Sequence, residues 1–146
     1  MKHLTTIFLS IILTFILSLT TGCGSVKHAG SSSRTIKDDT GYTLSVPSHP
    51  SRIVSLTYGT DEILLGLVET SRVEALSKYA GNEDITFVTP EERDAVGKTT
   101  DTNVESIMAM KPDLVIASTA ISGNVVNLLR QSGVPVYVSL IPCHLG

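Results

Sequence analysis

Apolar and polar positions alternate most clearly in residues 103–117, where they predict a helix followed by a buried strand. Three apolar residues recur at positions i, i+3 and i+4 and form one stripe along the helix: Val104, Ile107 and Met108. Asn103 can cap the helix because its side-chain oxygen accepts a free backbone N–H, and Pro112 ends it. Residues 114–117 are an unbroken apolar run, which is typical of a parallel strand covered on both faces. The stretch therefore predicts half of a β-α-β unit.

Short apolar runs and helical stripes continue on both sides of that stretch. They predict strands at residues 53–56, 73–76, 95–97 and 134–140, and helices at residues 60–68, 90–95 and 122–131. The helix starts are indicated by Thr60 or Asp61, by Pro90 and by Ser122. Residues 78–89 predict an irregular connection, and residues 35–46 predict a hairpin that turns at Asp39, Thr40 and Gly41.

The order of these elements predicts an α/β fold, namely a Rossmann-like, mostly parallel sheet with flanking helices. Ligands of open α/β sheets bind at the carboxyl ends of the strands. The loops there carry Thr57, Tyr58, Gly59, Ser77, Lys78, Tyr79, Lys98, Thr99, Thr100, Ser118 and Thr119. This hydroxyl-rich edge suits a polar or anionic ligand. Polar loops occur at this edge in α/β domains generally, so the pattern locates a face and not a specific site.

The N-terminal segment predicts export. Residues 1–22 have a short basic start and then an apolar run, as in a secretory signal. That run is shorter than the ~20 residues of a membrane-spanning helix. Cys23 follows small residues, as in a bacterial lipoprotein signal, which predicts that it is lipidated; ordinary cleavage beside a chance cysteine is the alternative. Residues 23–34 are small and polar and predict a flexible tether. Cys143 is expected to be an unpaired thiol.

Composition and motifs disfavour several classes of function. The 146 residues carry a formal net charge of -3 and no basic run beyond the first residues, so no nucleic-acid partner is expected. No phosphate-binding glycine loop, GxSxG or HExxH motif is present, and none of the four histidines is predicted on the ligand-side edge. Solvated faces account for most of the scattered acids: Asp61, Glu62, Asp101 and Glu105. We therefore expect no catalytic residues, no metal site and no cofactor.

Seven motifs in order make residues 38–140 resemble the N-terminal lobe of the iron-siderophore, haem and cobalamin type of periplasmic binding protein. The first four are Asp38 with Gly41, PxxPSRIVSL at 47–56, Glu62 with Leu65 and Gly66, and Val96-Gly97. The other three are Asn103-x-Glu105-x-Ile107, KPDLVI at 111–116 and GVPV at 133–136. The resemblance implies a solute receptor that delivers its ligand to the permease subunits of an ABC importer, anchored to the membrane through the lipid on Cys23.

The resemblance also implies roles for single residues. It places Glu105 on an exposed surface that docks against permease arginines, with a first-turn acid placed for the helix dipole as the alternative. Candidate ligand contacts are Tyr58, Lys78, Tyr79, Thr99 and Ser118. Cobalamin receptors carry aromatic residues where this chain has Thr99 and Ser118, which favours an iron-siderophore or related metal chelate over cobalamin or haem.

The family pattern continues with a second lobe, whereas this chain ends just after the last predicted strand. Residues 35–146 therefore predict one lobe of a two-lobed binding protein, as a fragment, a frameshift product or a truncated receptor. A surface-anchored interaction module without a transported ligand is the alternative function, followed by an extracytoplasmic α/β enzyme.

Overall fold

The computed structural model describes residues 32–140. The predicted signal, Cys23, most of the tether and Cys143 lie outside the described residues. The strands are β1 (Ser33–Lys37), β2 (Thr43–Pro47), β3 (Ile53–Ser55), β4 (Val73–Ser77), β5 (Thr99–Thr100), β6 (Leu114–Ser118) and β7 (Val136–Ser139). The helices are α1 (Tyr58–Leu67), α2 (Pro90–Val96), α3 (Val104–Ala109) and α4 (Gly123–Gln131), with a 3-10 turn at Thr70–Arg72.

Within this part of the chain, five strands form one parallel sheet in the order β5-β4-β3-β6-β7. The chain runs from β3 outward to β4 and β5, and then returns to the other side of β3 for β6 and β7. The strand order therefore reverses between β3 and β6, which is the place where open α/β sheets bind ligands. Strands β1 and β2 form a separate antiparallel hairpin. The predicted α/β class and hairpin are confirmed.

Helices cover both faces of the sheet because successive strand residues point to opposite faces. One apolar cluster packs α3 and α4 on the sheet and includes Val54, Ala75, Ile107, Val115, Leu129 and Val136. The other lies under α1 and includes Ile53, Leu64, Val73, Leu76, Ala80 and Val88. Burial on both faces explains why the central strands read as unbroken apolar runs.

The PSR motif before β3 and the KPD motif before β6 contact each other at the amino ends of these two strands. Asp113 accepts hydrogen bonds from the backbone N–H groups of Ser51 at 2.8 Å and Arg52 at 2.9 Å. Arg52 in turn donates through Nε to the carbonyl groups of Met110 and Lys111, at 3.2 Å each. A guanidinium at these carbonyls satisfies acceptors that the end of α3 leaves free. The PSR and KPD motifs thus join the amino ends of β3 and β6.

Several boundaries differ from the prediction; the last strand, for example, spans Val136–Ser139 instead of residues 134–140. Residues 95 and 96 end α2, and Gly97 adopts a left-handed conformation (φ 81°) at its C-cap, so the predicted strand at 95–97 is wrong; β5 follows at Thr99. Helix α1 begins at Tyr58 with Thr57 as its N-cap, instead of being capped by Thr60 or Asp61. Thr60 Oγ1 accepts the N–H of Thr57 at 3.2 Å, which adds a local hydrogen bond that favours the earlier start.

The other end of the 103–117 stretch also differs in detail. Asn103 caps α3 as predicted, with its side chain accepting the N–H of Ser106 at 2.8 Å. The helix ends at Ala109, three residues before Pro112, and Lys111 adopts a left-handed conformation (φ 48°). Ile107 is fully buried, whereas Met108 is 40 % exposed. The predicted apolar stripe is therefore wrong at Met108, and Met110 packs on the core in its place.

Candidate functional site

A cavity of about 950 Å³ lies at the carboxyl edge of the sheet, across the point where the strand order reverses. Its lining comes from the first half of α1, the last residues of β5 and β6, and the loops after β3, β4, β5 and β6: Leu56, Thr57, Tyr58, Gly59, Glu62, Lys78, Tyr79, Ile85, Phe87, Thr100, Asp101, Thr102, Ser118, Thr119, Ala120 and Ile121. A smaller cavity of about 210 Å³ lies between the hairpin and the amino end of β7, away from the carboxyl edge of the parallel sheet. The larger cavity is the candidate binding site.

Four of the five predicted ligand contacts line this cavity: Tyr58, Lys78, Tyr79 and Ser118. Thr99 does not line it, because Thr99 is the first residue of β5 and the next residue, Thr100, faces the cavity. Ser118 is the buried last residue of β6 and not a loop residue. Their roles in binding stay predictions.

Two tyrosines and a lysine contribute polar and aromatic surface to the cavity. Tyr58 is the first residue of α1, and its ring meets that of Tyr79 edge to face, with centroids 6.5 Å apart and planes at 87°. The Lys78 Nζ lies 5.0 Å from the centroid of the Tyr79 ring, within the range of a cation–π contact. Both tyrosines stay partly exposed, so their rings and hydroxyl groups can reach a ligand.

A buried carboxylate, that of Asp61, accepts hydrogen bonds from the residue that precedes Lys78 and Tyr79. Asp61 is fully buried, so the solvated face expected for most of the scattered acids does not apply to it. It accepts the backbone N–H of Ser77 at 3.0 Å and the Ser77 hydroxyl at 2.5 Å. Burial raises the pKa of Asp61, although hydrogen bonds from Ser55 and Ser77 oppose the rise. The bonds tie α1 to the end of β4, directly before Lys78 and Tyr79.

The neighbouring carboxylate holds the far part of the loop that follows β4. Glu62 Oε1 accepts the Thr86 hydroxyl and the Phe87 N–H, both at 2.9 Å. Ile85 and Phe87 line the cavity, and Phe87 is 91 % exposed. Sequence reasoning missed these two apolar residues because the segment lacks any regular period. The adjacent acids in the first half of a helix, Asp61 and Glu62, were the available signal.

Glu105 is exposed in the first turn of α3, as predicted. The residues just before it, Thr100 to Thr102, line the cavity. Helix α3 starts where β5 ends, so Glu105 lies at the same edge of the sheet as the cavity. Its predicted role in docking is not decided by that position.

Two further findings bear on the site. Within residues 32–140, no three histidine, cysteine, aspartate or glutamate side chains come together in a way that could hold a metal ion. No helix in the same part of the chain has both the length and the apolar character needed to cross a membrane.

Sequence comparison shows similarity to siderophore-binding and cobalamin-binding proteins. The chain is 30 % identical over 122 residues to the Bacillus subtilis protein named "Probable siderophore-binding lipoprotein YfiY", covering 80 % of this chain and 37 % of that protein. It is 27 % identical over 103 residues to a cobalamin-binding protein of Halobacterium salinarum, covering 68 % of this chain and 27 % of that protein. No protein-family model matches the chain.

Solved structures agree with the sequence relatives. The haem-binding protein HmuT superposes with a TM-score of 0.59 at 22 % identity, over 75 % of this chain and 35 % of HmuT. CeuE of Helicobacter pylori, in a complex with Ni-His, superposes with a TM-score of 0.57 at 20 % identity, over 75 % of this chain and 37 % of CeuE. The chain thus spans between 27 % and 37 % of the length of these four proteins. The resemblance to siderophore, haem and cobalamin binding proteins is confirmed, and these relatives are named for binding and not for catalysis.

Proposed function

We propose that this chain forms one side of an extracytoplasmic solute-binding protein of an ABC importer and that its ligand is a metal chelate, a ferric siderophore in preference to haem or cobalamin. The observation that carries the proposal is the cavity of about 950 Å³ at the switch point of the sheet. Its volume is within the range of small-molecule sites, about 300–1,000 Å³. The sequence and fold relatives, which are binding proteins for solutes of this kind, support the same function.

The lining suits a chelate that keeps its own metal ligands. The hydroxyl groups of Thr100, Ser118 and Thr119 can hydrogen-bond to oxygen atoms of such a chelate. Lys78 offers the complementary positive charge, and the Tyr58–Tyr79 pair offers aromatic surface. The iron would be carried as cargo, bound by the siderophore. We do not assign a ligand contact to Thr99, which stands beside the cavity wall.

The second part of the proposal concerns the partner. Glu105 is exposed, lies at the same edge of the sheet as the cavity and belongs to the Asn-x-Glu motif of the resemblance. An exposed carboxylate at this place can pair with a basic group of the permease subunits when the cavity faces the membrane. Lipidation of Cys23 would keep the domain beside that permease as a membrane-anchored lipoprotein.

Calorimetric titration of the purified full chain tests the ligand. Ferrioxamine B, a ferric tris-catecholate, haemin and cobalamin are each titrated, and we expect saturable heat with one of the two ferric siderophores. Tyr58→Ala and Tyr79→Ala should each weaken this binding at least fivefold, whereas Tyr42→Phe, far from the cavity, should not. Tight binding of haemin or cobalamin alone would overturn the choice of ligand. Binding of none of the four compounds would favour an interaction module without a transported ligand.

Uptake of radiolabelled ferric siderophore by cells that express the importer tests the docking residue. Glu105→Ala should reduce uptake without changing the affinity of the purified chain for the siderophore. Glu91→Ala is the matched control, because Glu91 is also an exposed acid in the first turn of a helix. Equal uptake by Glu105→Ala and the unaltered protein would show that Glu105 serves only its own helix.

A further inference from the structure

The loop after β4 carries more of the cavity lining than any other loop in residues 32–140, and it is held to α1 at both of its ends. We call residues 78–88 the rim loop. It supplies Lys78, Tyr79, Ile85 and Phe87 to the cavity. At its start, Asp61 accepts both the N–H and the hydroxyl of Ser77. Near its end, Glu62 accepts from Thr86 and Phe87. Asp61 and Glu62, which are neighbours in α1, therefore form hydrogen bonds at the start and near the end of the loop.

The rim loop keeps its own shape through internal hydrogen bonds. Gly81 N donates to the Val88 carbonyl at 3.2 Å and closes the neck of the loop. Ile85 N and Thr86 N donate to the Asn82 carbonyl at 2.9 and 3.0 Å. Ala80 and Val88 are buried in the cluster beneath α1. Loss of the Glu62 contacts should therefore release the tip of the loop, residues 85–87, while Ala80 and Val88 at its base stay packed.

The tip depends on one carboxylate. Among the hydrogen bonds of the described residues, those of Glu62 are the ones that join Thr86 and Phe87 to α1. Phe87 is 91 % exposed, so burial of its ring contributes little to holding this residue in place. Thr86 is buried, and its Oγ1 also accepts the N–H of Val88 at 3.2 Å. Glu62 thus sets where the apolar tip stands relative to Tyr58, which belongs to the same helix.

We propose that Glu62 is a positioning residue: by accepting from Thr86 Oγ1 and Phe87 N, it holds Ile85 and Phe87 at the cavity mouth as an apolar wall for the less polar part of the bound solute. This deepens the proposed function and rests on it for the nature of the occupant. It predicts a solute with an apolar portion, such as an acyl or alkyl chain, beside an oxygen-rich centre.

The position of the tip is measured first, without any ligand, by amide hydrogen exchange at Phe87 and by chymotryptic cleavage after Phe87. In Glu62→Ala, we expect both rates to rise at least tenfold. Glu62→Gln keeps Oε1 as an acceptor and should stay within about threefold of the unaltered protein. Glu83→Ala, which removes an exposed acid of the same loop that makes no hydrogen bond with any other residue of 32–140, is the matched control. Unchanged rates in Glu62→Ala would overturn the positioning role.

The effect on the occupant is measured second, by calorimetry with ferrioxamine B and with an acylated ferric hydroxamate. Glu62→Ala should weaken binding of the acylated compound at least fivefold more than binding of ferrioxamine B, and Glu62→Gln should restore it. Equal losses for both compounds would overturn the assignment of an apolar wall. Failure of the unaltered protein to bind either compound would instead count against the proposed function, and the exchange rates would still decide the role of Glu62.

Discussion

Arg130 donates from Nη2 to Oδ2 of Asp38 at 2.5 Å, and this ion pair joins the hairpin to the last helix. The Asp38 side chain is fully buried, and that of Arg130 is 12 % exposed. Arg130 also donates to the Val136 carbonyl at 2.9 Å and covers the ring of Tyr42, with its guanidinium carbon 3.6 Å from the centroid. The Asp38–Gly41 motif therefore has a structural purpose: it attaches the hairpin to the β7 edge of the sheet.

Removal of the Asp38 charge should destabilise the protein in a pH-dependent way. Burial by itself would raise the pKa of Asp38, but hydrogen bonds from Thr40, Tyr42, Arg130 and Val138 outweigh burial and lower it. A pKa below that of the unfolded chain stabilises the fold above about pH 4, and this contribution is lost as the pH falls through the folded pKa. We expect Asp38→Asn to reduce the free energy of unfolding at pH 7 by about 3 kcal/mol.

Urea denaturation between pH 2 and pH 7 measures this effect. The gap between Asp38→Asn and the unaltered protein should narrow below about pH 4. The control is Asp94→Asn, which removes an exposed ion pair with Arg93 and should cost less than about 1 kcal/mol at any pH. A gap that does not change with pH would contradict the role given to the carboxylate charge.

Asp61 should show the opposite pH dependence. Burial raises its pKa above that of the unfolded chain, so the fold prefers the protonated acid. The contribution of Asp61 is therefore fully present below about pH 4 and is lost as the pH rises through the folded pKa. We expect the stability of the unaltered protein to fall relative to that of Asp61→Asn between pH 4 and pH 8. Chemical denaturation of the unaltered protein and of Asp61→Asn across this range measures the effect, with Asp84→Asn as an exposed control. If the free energies of unfolding of the unaltered protein and of Asp61→Asn change with pH in parallel, the prediction is wrong.

Two neighbouring residues of α3 should differ sharply in their effect on stability. Ile107 is fully buried in the core, so Ile107→Ala should lower the free energy of unfolding by about 2–5 kcal/mol. Met108 is 40 % exposed, so Met108→Ala should cost less than about 1 kcal/mol. Thermal and urea denaturation of the two variants provide the comparison. Equal losses would mean that Met108 packs on the core as its helical spacing suggests.

Lys111 offers a site for stabilisation. Its φ of 48° is left-handed, a conformation that costs a residue with a Cβ roughly 1–2 kcal/mol and glycine almost nothing. Lys111→Gly should raise the free energy of unfolding by about 0.5–1 kcal/mol, since the greater entropy of unfolded glycine offsets part of the gain. Lys111→Ala keeps the Cβ and should give no gain. A loss of stability in Lys111→Gly, measured by urea denaturation, would count against strain at this residue.

Helical and strand periodicity, together with capping chemistry, predicted an element well where its segment is long enough to show the repeat. The helix at 104–109, its Asn103 cap and the strand beginning at Leu114 follow from spacing and capping chemistry alone. The strand at 95–97 was wrong because three residues are too few for a period, and the left-handed Gly97 ends a helix there. Met108 has a helical spacing but lies outside the contact with the sheet, which depends on how α3 is rotated.

The sequence by itself determined the α/β class, the edge of the sheet that carries the cavity, and the resemblance to siderophore and cobalamin binding proteins. Each of these follows from local periods and from residues read in order. The tertiary structure decided that Asp61 is buried under Ser77, that Glu62 holds Phe87, and that Asp38 meets Arg130. These contacts join residues 16 to 92 positions apart. A carboxylate in the sequence looks the same whether it faces water or a distant partner, so only the folded chain distinguishes the two.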